Sequence, residues 1–392
     1  MKEGWRWYGP DDPVPLAHIR QAGATDVVTA LHDIYDGRVW PEDRIRARQA
    51  EVAAAGLTWS VVESIPVPQA IKTRGPGADE AIQRFIQTMR NVAACGIEVI
   101  CYNFMPVVDW TRTDLRYEAP NGGLALRFDP VAFAAYDLYV LKRDGAEDDY
   151  SDDIKARAEA ALSSMSPDQA ETLENTIIAG LPGAEGHHTR DGIRALIAEY
   201  DRIGDAALRA ALIAFQSAII PVAEELGLRM AIHPDDPPWS LFGLPRVVSQ
   251  ISDYEALFTA NPSRANGVTF CTGSLGARAD NDLAAMLKAL APRIHFAHLR
   301  NVKRDPDGSF FEADHLDGST DMVKIVDLLM AEQRRRRAEG RADDTIPMRP
   351  DHGHLLLDDL TKTTLPGYSA IGRLKGLAEL RGVMRALERV HG

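Results

Sequence analysis

Along this chain, short apolar runs rich in β-branched residues alternate with longer segments whose apolar positions recur every three to four residues. A short run bounded by polar or glycine-containing turns reads as a strand, and the longer period reads as an amphipathic helix. Eight runs qualify: Trp5–Tyr8, Asp26–Leu31, Thr58–Glu63, Ile97–Tyr102, Leu228–His233, Gly267–Thr272, Ile294–Leu299 and Ile346–Arg349. Helical pattern occupies Leu16–Ala22, Glu42–Ala55, Asp79–Ala94, Ala206–Leu226, Asp280–Leu290 and Thr320–Glu339, with a closing helix at Gly372–Val390. Strands alternating with helices predict a parallel sheet, and eight is the number that closes a barrel.

The spacing breaks once, between Tyr102 and Ala206, where Val131–Asp144, Ile154–Met165, Asp168–Ile178 and Asp191–Ile203 all have helical pattern. No Pro/Gly/Ser linker brackets this stretch. The expected fold is therefore α/β, a (β/α)8 TIM barrel. Residues 1–392 form a single domain, and residues 103–204 form a helical insertion after strand four, lying over one mouth of the barrel. There is no internal repeat.

Composition narrows the class. The 392 residues carry 57 Asp+Glu against 44 Lys+Arg, a formal net charge of −13, which argues against nucleic acid as a partner. The one basic run, Arg334–Arg337, reads as the solvated face and end of a helix. Three cysteines, Cys95, Cys101 and Cys271, are too few for a disulfide framework and suit a reducing, cytoplasmic setting. The N-terminus has no apolar signal core, and no apolar run approaches the roughly 20 residues that cross a bilayer, so no membrane partner is expected.

Candidate chemistry gathers where the last four strands end. His233 (RMAIHPDD), Cys271 (VTFCTGS), His298 (HFAHLRN) and Asp351 (PMRPDHGH) are each metal-capable, and in a parallel barrel these ends open on one mouth. Two imidazoles, a thiolate and a carboxylate suit a borderline divalent ion such as Mn²⁺, Fe²⁺, Co²⁺ or Zn²⁺ better than Mg²⁺ or Ca²⁺. Glu63 and Asn103 end earlier strands, and Tyr8 and Asp11 lie beyond the first. Trp7, like Trp5, is either a plug in the barrel floor or a sugar-facing wall. Arg300 follows His298 on the same face and either holds an anionic substrate group or forms a surface ion pair. His352 and Tyr368 are candidate acid–base groups, whereas His354, His187 and His188 read as loop residues. No G-x-G-x-x-G follows a strand, so no nucleotide cofactor is expected.

Longer motifs are more specific: WRWYGP, RQAGATDVVTALH, CYNFMPVVDWTRTDL, NTIIAGLPGAE, RMAIHPDDPP, FCTGSLGARADNDL, IPMRPDHGH and PGYSAIGRLKGLAELRG. Through these the sequence resembles the mannonate dehydratases from end to end. The resemblance implies a xylose-isomerase-like TIM barrel that converts D-mannonate, a small sugar acid, to 2-dehydro-3-deoxy-D-gluconate with loss of water in hexuronate (glucuronate) catabolism. It implies Mn²⁺ or Fe²⁺ held by His233, Cys271, His298 and Asp351, and catalytic roles for His352 and Tyr368. Arg300, Asn103, Trp7 and Glu63 are then candidate substrate contacts, and a homodimer is compatible with the reading. One departure is visible: Pro68-Gln69 stands after ESIPV, where the family commonly has His-Glu, which puts any role of that loop in doubt. An aldose–ketose isomerase would share the barrel mouth but favour a carboxylate-rich site. A sugar-acid or metal-binding protein without turnover would not need the His352/Tyr368 pair.

Overall fold

The structure, a computed structural model, describes residues 1–179 and 189–391. Its strands in chain order are β1 (Lys2–Arg6), β2 (Asp26–Thr29), β3 (Thr58–Glu63), β4 (Val99–Tyr102), β5 (Asp114–Glu118) and β6 (Leu124–Phe128). They are followed by β7 (Arg229–Ile232), β8 (Asn266–Cys271), β9 (Ile294–His298), β10 (Asn301–Arg304), β11 (Phe310–Ala313) and β12 (Pro347–Arg349). Eight of them close a barrel in the order β1-β12-β9-β8-β7-β4-β3-β2, with every pairing parallel. These are the eight runs read from the pattern, each shifted by a few residues at most. Because both faces of a parallel barrel strand are covered, the runs are continuously apolar rather than alternating. Val28, Val61, Val99, Cys101, Ala231 and Phe296 fill the interior. Cys101 packs there as a small hydrophobe, with the Thr269 hydroxyl 3.2 Å from its sulfur.

The other four strands form an antiparallel sheet, β10-β11-β6-β5, which the pattern did not predict. Two of them, β5 and β6, lie inside the stretch expected to be wholly helical. They are five residues each, joined through Pro120-Asn121-Gly122-Gly123, and β5 alternates exposed and half-buried positions. A hairpin turn between two short alternating runs is a strand signal that the neighbouring helical periodicity obscured. The helices of that stretch are present at Pro130–Ala135, Asp152–Ser164, Pro167–Ala179 and Arg190–Ala198. A further helix, Ile251–Ala260, also escaped the pattern; Gln250 and Asp253 close its N-terminus as a capping box.

Two other expectations change. The helix Asp205–Leu226 is, by length and composition, apolar enough to cross a membrane, contrary to the reading that no run approaches that length. It buries Leu208, Leu212, Phe215, Ile219 and Ile220 within the core instead. The Arg334–Arg337 run is not simply solvated. Arg336 is fully buried, with Nη2 donating to the carbonyls of Ala291 and Ile294 at 2.8 and 2.9 Å.

Candidate active site

The C-terminal ends of β7, β8, β9 and β12 bring four side chains together. Ligand atoms of His233, Cys271 and His298 all lie within 4.8 Å of one another. The Asp351 carboxylate stands 3.9 Å from both the Cys271 sulfur and His298 Nδ1. Its backbone takes φ 66°, a left-handed conformation that Asp tolerates better than most residues and that is concentrated at functional sites.

Second partners orient the rings. His233 Nδ1–H donates to Pro234 O at 2.7 Å, and His298 Nε2 faces Glu63 Oε2 at 3.5 Å. His233 Nε2 and His298 Nδ1 face each other at 3.1 Å. Burial would push the Cys271 thiol up, but Arg300 and the two imidazoles outweigh it and hold the thiol well below its ordinary range, in the thiolate form. Two imidazoles, a thiolate and a carboxylate converge here, a set that a divalent cation binds when the imidazoles are neutral. The donor set therefore fits a borderline transition-metal ion.

Around this cluster runs one continuous chain of buried ion pairs. Arg6 meets Glu63 at 2.7 Å, Glu63 meets Arg349 at 2.8 Å, and Arg349 pairs with Asp351. Arg300 Nε lies 3.2 Å from Asp351, while its other nitrogens pair with Asp236 and, at 2.6 Å, with Glu312. Arg112, fully buried between the faces of Trp110 and Phe310, closes the chain onto Asp236 and Glu312, each at 2.9 Å. Four guanidinium groups thus face four carboxylates. The carboxylates stay ionised despite burial: the neighbouring arginines outweigh it at Glu63 and Asp236, and Arg300 with His352 holds Glu312 down at about 2. Such pairs add little net stability after desolvation, but removing one partner is costly, so the chain fixes geometry more than it stabilises the fold.

Arg300 is therefore no surface ion pair. Its side chain lies across Gly273, where a Cβ would overlap it, which accounts for glycine two residues after Cys271. His352 hangs from the same network: Nδ1 is 3.1 Å from Glu312 and 2.9 Å from Arg300, leaving Nε2 as the open ring nitrogen. Tyr368 meets the His352 ring edge-on at 5.1 Å, and Tyr8 meets Tyr368 at 4.9 Å. Burial pushes the Tyr368 phenol up, so it keeps its proton.

A cavity of about 20 Å³ joins these groups. Glu63, Asn103, His233, Asp351, His352 and Tyr368 line it, together with Asp109, Trp110, Asp236 and Arg349. Of the sequence candidates, the metal-capable set, both acid–base groups, Glu63 and Asn103 thus meet, with Arg300 behind them. Trp7 does not line this cavity; it is buried beneath Arg48, 5.2 Å from the ring centre. His354 bonds Glu312 O at 2.7 Å, and His187 and His188 lie outside the described residues. Sequence reasoning missed Arg112, Asp236, Glu312 and Arg349. Arg349 and Asp236 carried a signal, standing at strand ends two or three residues from a candidate ligand. Gln69, at the departure from the family pattern, accepts bonds from Val107 N at 3.4 Å and from Tyr200, tying the loops after β3 and β4 together.

The profile described as D-mannonate dehydratase (UxuA) matches residues 1–392. The chain is 56% identical to mannonate dehydratase 2 of Agrobacterium fabrum over 389 residues, covering 99% of this chain and 98% of the relative. It is 54% identical to the mannonate dehydratase of Chromohalobacter salexigens over 391 residues, covering 100% of each. The crystal structure of mannonate dehydratase from Streptococcus suis serotype 2 superposes with a TM-score of 0.79 at 34% identity, covering 100% of this chain and 96% of that one.

Proposed function

The chain belongs to the mannonate dehydratase family of hydro-lyases, and from that premise we propose that its cavity removes water from D-mannonate to give 2-dehydro-3-deoxy-D-gluconate. The proposal includes a place in hexuronate catabolism, and it treats residues 1–392 as one barrel domain with residues 103–204 inserted. The observation that carries it is the metal-capable set of His233, Cys271, His298 and Asp351 beside a cavity that His233 and Asp351 line together with His352 and Tyr368.

Elimination must take the hydrogen from C2, next to a carboxylate, and release the oxygen at C3. Mn²⁺ or Fe²⁺ held by His233, Cys271, His298 and Asp351 would supply the positive charge that stabilises the electron-rich carboxylate as the C2–H bond breaks. His352 offers Nε2 as the base, with Nδ1–H donating to Glu312, which also orients the ring. Tyr368 keeps its proton and delivers it to the departing C3 oxygen. Glu63 orients His298 and balances Arg6 and Arg349. Arg300, wholly occupied by three carboxylates, acts on the substrate through the field it sets and through His352, and Asn103 faces the cavity directly.

Charge explains why a protein at −13 can take an acidic substrate. The four arginines and four carboxylates cancel and the Cys271 thiolate adds one negative charge, so a divalent cation leaves the site one positive charge in excess. A sugar acid carries one negative charge, so attraction is local. The direct test is incubation of Mn²⁺-loaded protein with D-mannonate, D-altronate and D-gluconate and assay for the 2-keto-3-deoxy acid. D-Mannonate is expected to be consumed fastest; absence of product from D-mannonate would overturn the reading.

A further inference from the structure

The metal-capable cluster and the acid–base pair account for one side of the cavity. The other side is built from a short stretch after β4 and contains three polar groups with spare hydrogen-bonding capacity. The Asp109 carboxylate is held only loosely, 3.7 Å from Lys72 Nζ and 3.4 Å from Asn103 Nδ2. Trp110 is 3% exposed, lines the cavity, and its indole N–H is buried without a partner. An unpaired buried donor is destabilising, a penalty that a bound acceptor relieves.

We propose that Asp109, Asn103 and the Trp110 indole N–H recognise the hydroxyl tail of the substrate, C4 to C6, and so set the chain length and configuration the enzyme accepts. The inference rests on the mannonate dehydratase reading of this cavity. A sugar hydroxyl is both donor and acceptor, so a polyol tail needs acceptors and donors interleaved. Asp109 supplies the acceptor, and Asn103 and Trp110 supply the donors. Asp109 and Asn103 are also half-buried, where the cavity meets solvent. A six-carbon acid with its reacting end at the cation therefore extends its tail towards them. The cavity, at about 20 Å³, holds about one water, so these side chains part as the acid enters.

The stretch is held in a shape its sequence does not favour. Val107 takes φ 60°, a left-handed conformation that is costly for a β-branched residue. Anchors from the helix Gln69–Thr73 compensate: Lys72 Nζ donates to Met105 O at 2.8 Å, and the Gln69 carboxamide accepts from Val107 N. Lys72 is itself buried, so one cation both shapes the stretch and faces Asp109. Backbone strain paid for by dedicated anchors beside open polar groups is the pattern of a recognition loop.

The test uses Mn²⁺-loaded full-length protein and two compounds: D-mannonate, and the four-carbon 2,3-dihydroxy acid with the same configuration at C2 and C3. The latter keeps the reacting end and lacks the tail. With wild type, turnover of D-mannonate establishes the underlying reading, and the four-carbon acid is scored as a competitive inhibitor. Asp109→Ala should lower kcat/KM for D-mannonate about 30-fold or more, and Trp110→Phe, which removes the N–H together with the five-membered ring, about 5–10-fold or more. Both should leave the inhibition constant of the four-carbon acid within about twofold. Equal losses for the two compounds, or no loss for D-mannonate in either variant, would overturn the proposal. If Asp109→Ala does not fold, the isosteric Asp109→Asn, for which the same selective loss is expected, decides alone.

Discussion

The two ends of the barrel both bury polar and charged side chains, but they satisfy them differently. At the N-terminal end main-chain carbonyls share the work with Glu332 and Asp343. Arg336 donates to Ala291 O and Ile294 O, Arg293 donates to Asn266 O at 3.0 Å, and the His295 ring donates to Arg264 O at 2.8 Å. At the C-terminal mouth the partners are carboxylates arriving from different loops, and Trp110 Nε1 and Glu312 Oε2 are left without one. Carbonyls at strand ends are supplied by any barrel, so cations that use them close the floor without storing charge. Carboxylates must be placed one by one, each at a desolvation cost, and the result is a preorganised field. The contrast assigns stability to the floor and chemistry to the mouth.

The sharpest break in the comparison is removal of a mouth ligand. Cys271→Ala and His233→Ala should each lose the bound metal and with it turnover, read by elemental analysis alongside assay; unchanged metal content would mean the ligands are misassigned. His352→Asn should keep the metal and the thermal midpoint while kcat falls about 10²–10⁴-fold, the usual worth of a positioned acid–base group. Activity near wild type would remove His352 from the mechanism. A floor substitution should do the reverse. Arg336→Met removes one of the two arginines that stand 2.7 Å from Glu332 and leaves two buried carbonyls without their partner, at a cost of about 3–5 kcal/mol. For a chain of 392 residues that lowers the midpoint by about 4–6 °C. In the folded fraction kcat/KM should stay within about twofold; a larger loss would blur the division between the two ends.

The same contrast explains what could be read from the sequence. The eight barrel strands were legible because burial on both faces leaves an apolar run that needs no partner to be recognised. The four metal-capable residues were legible because residue type and strand-end position coincide. Arg112 and Glu312 were not. They stand 200 residues apart, on segments with no apolar periodicity, and acquire meaning only because the antiparallel sheet folds them onto His352. Arg336 failed differently: in a basic run every member looks solvated, and only the helix's contact with the floor singles one out. Trp7 shows the converse, a strand-end aromatic that the barrel turned towards Arg48 rather than the cavity.

The smallest expected effect probes the floor through pH. His295 lies at 2% exposure on β9, its Nε2 on Arg264 O and its ring against Gly267, where a Cβ would run into it. Burial, with Arg229 and Arg336 nearby outweighing Asp343, pushes its pKa down to about 3. In the unfolded chain an ordinary histidine takes up a proton near pH 6.5. Between about pH 6.5 and 3 the unfolded state therefore holds one more proton than the folded state, and stability falls as pH drops through that window. Above pH 6.5 the neutral ring costs nothing. Urea midpoints of wild type and His295→Gln, measured at pH 7 and pH 5, isolate the effect, because every other titrating group is common to both. The stability gap between them should move by about 2 kcal/mol against wild type at the lower pH. A gap that does not change would mean that His295 accepts its proton within the fold, and that the floor, like the mouth, can carry a buried charge.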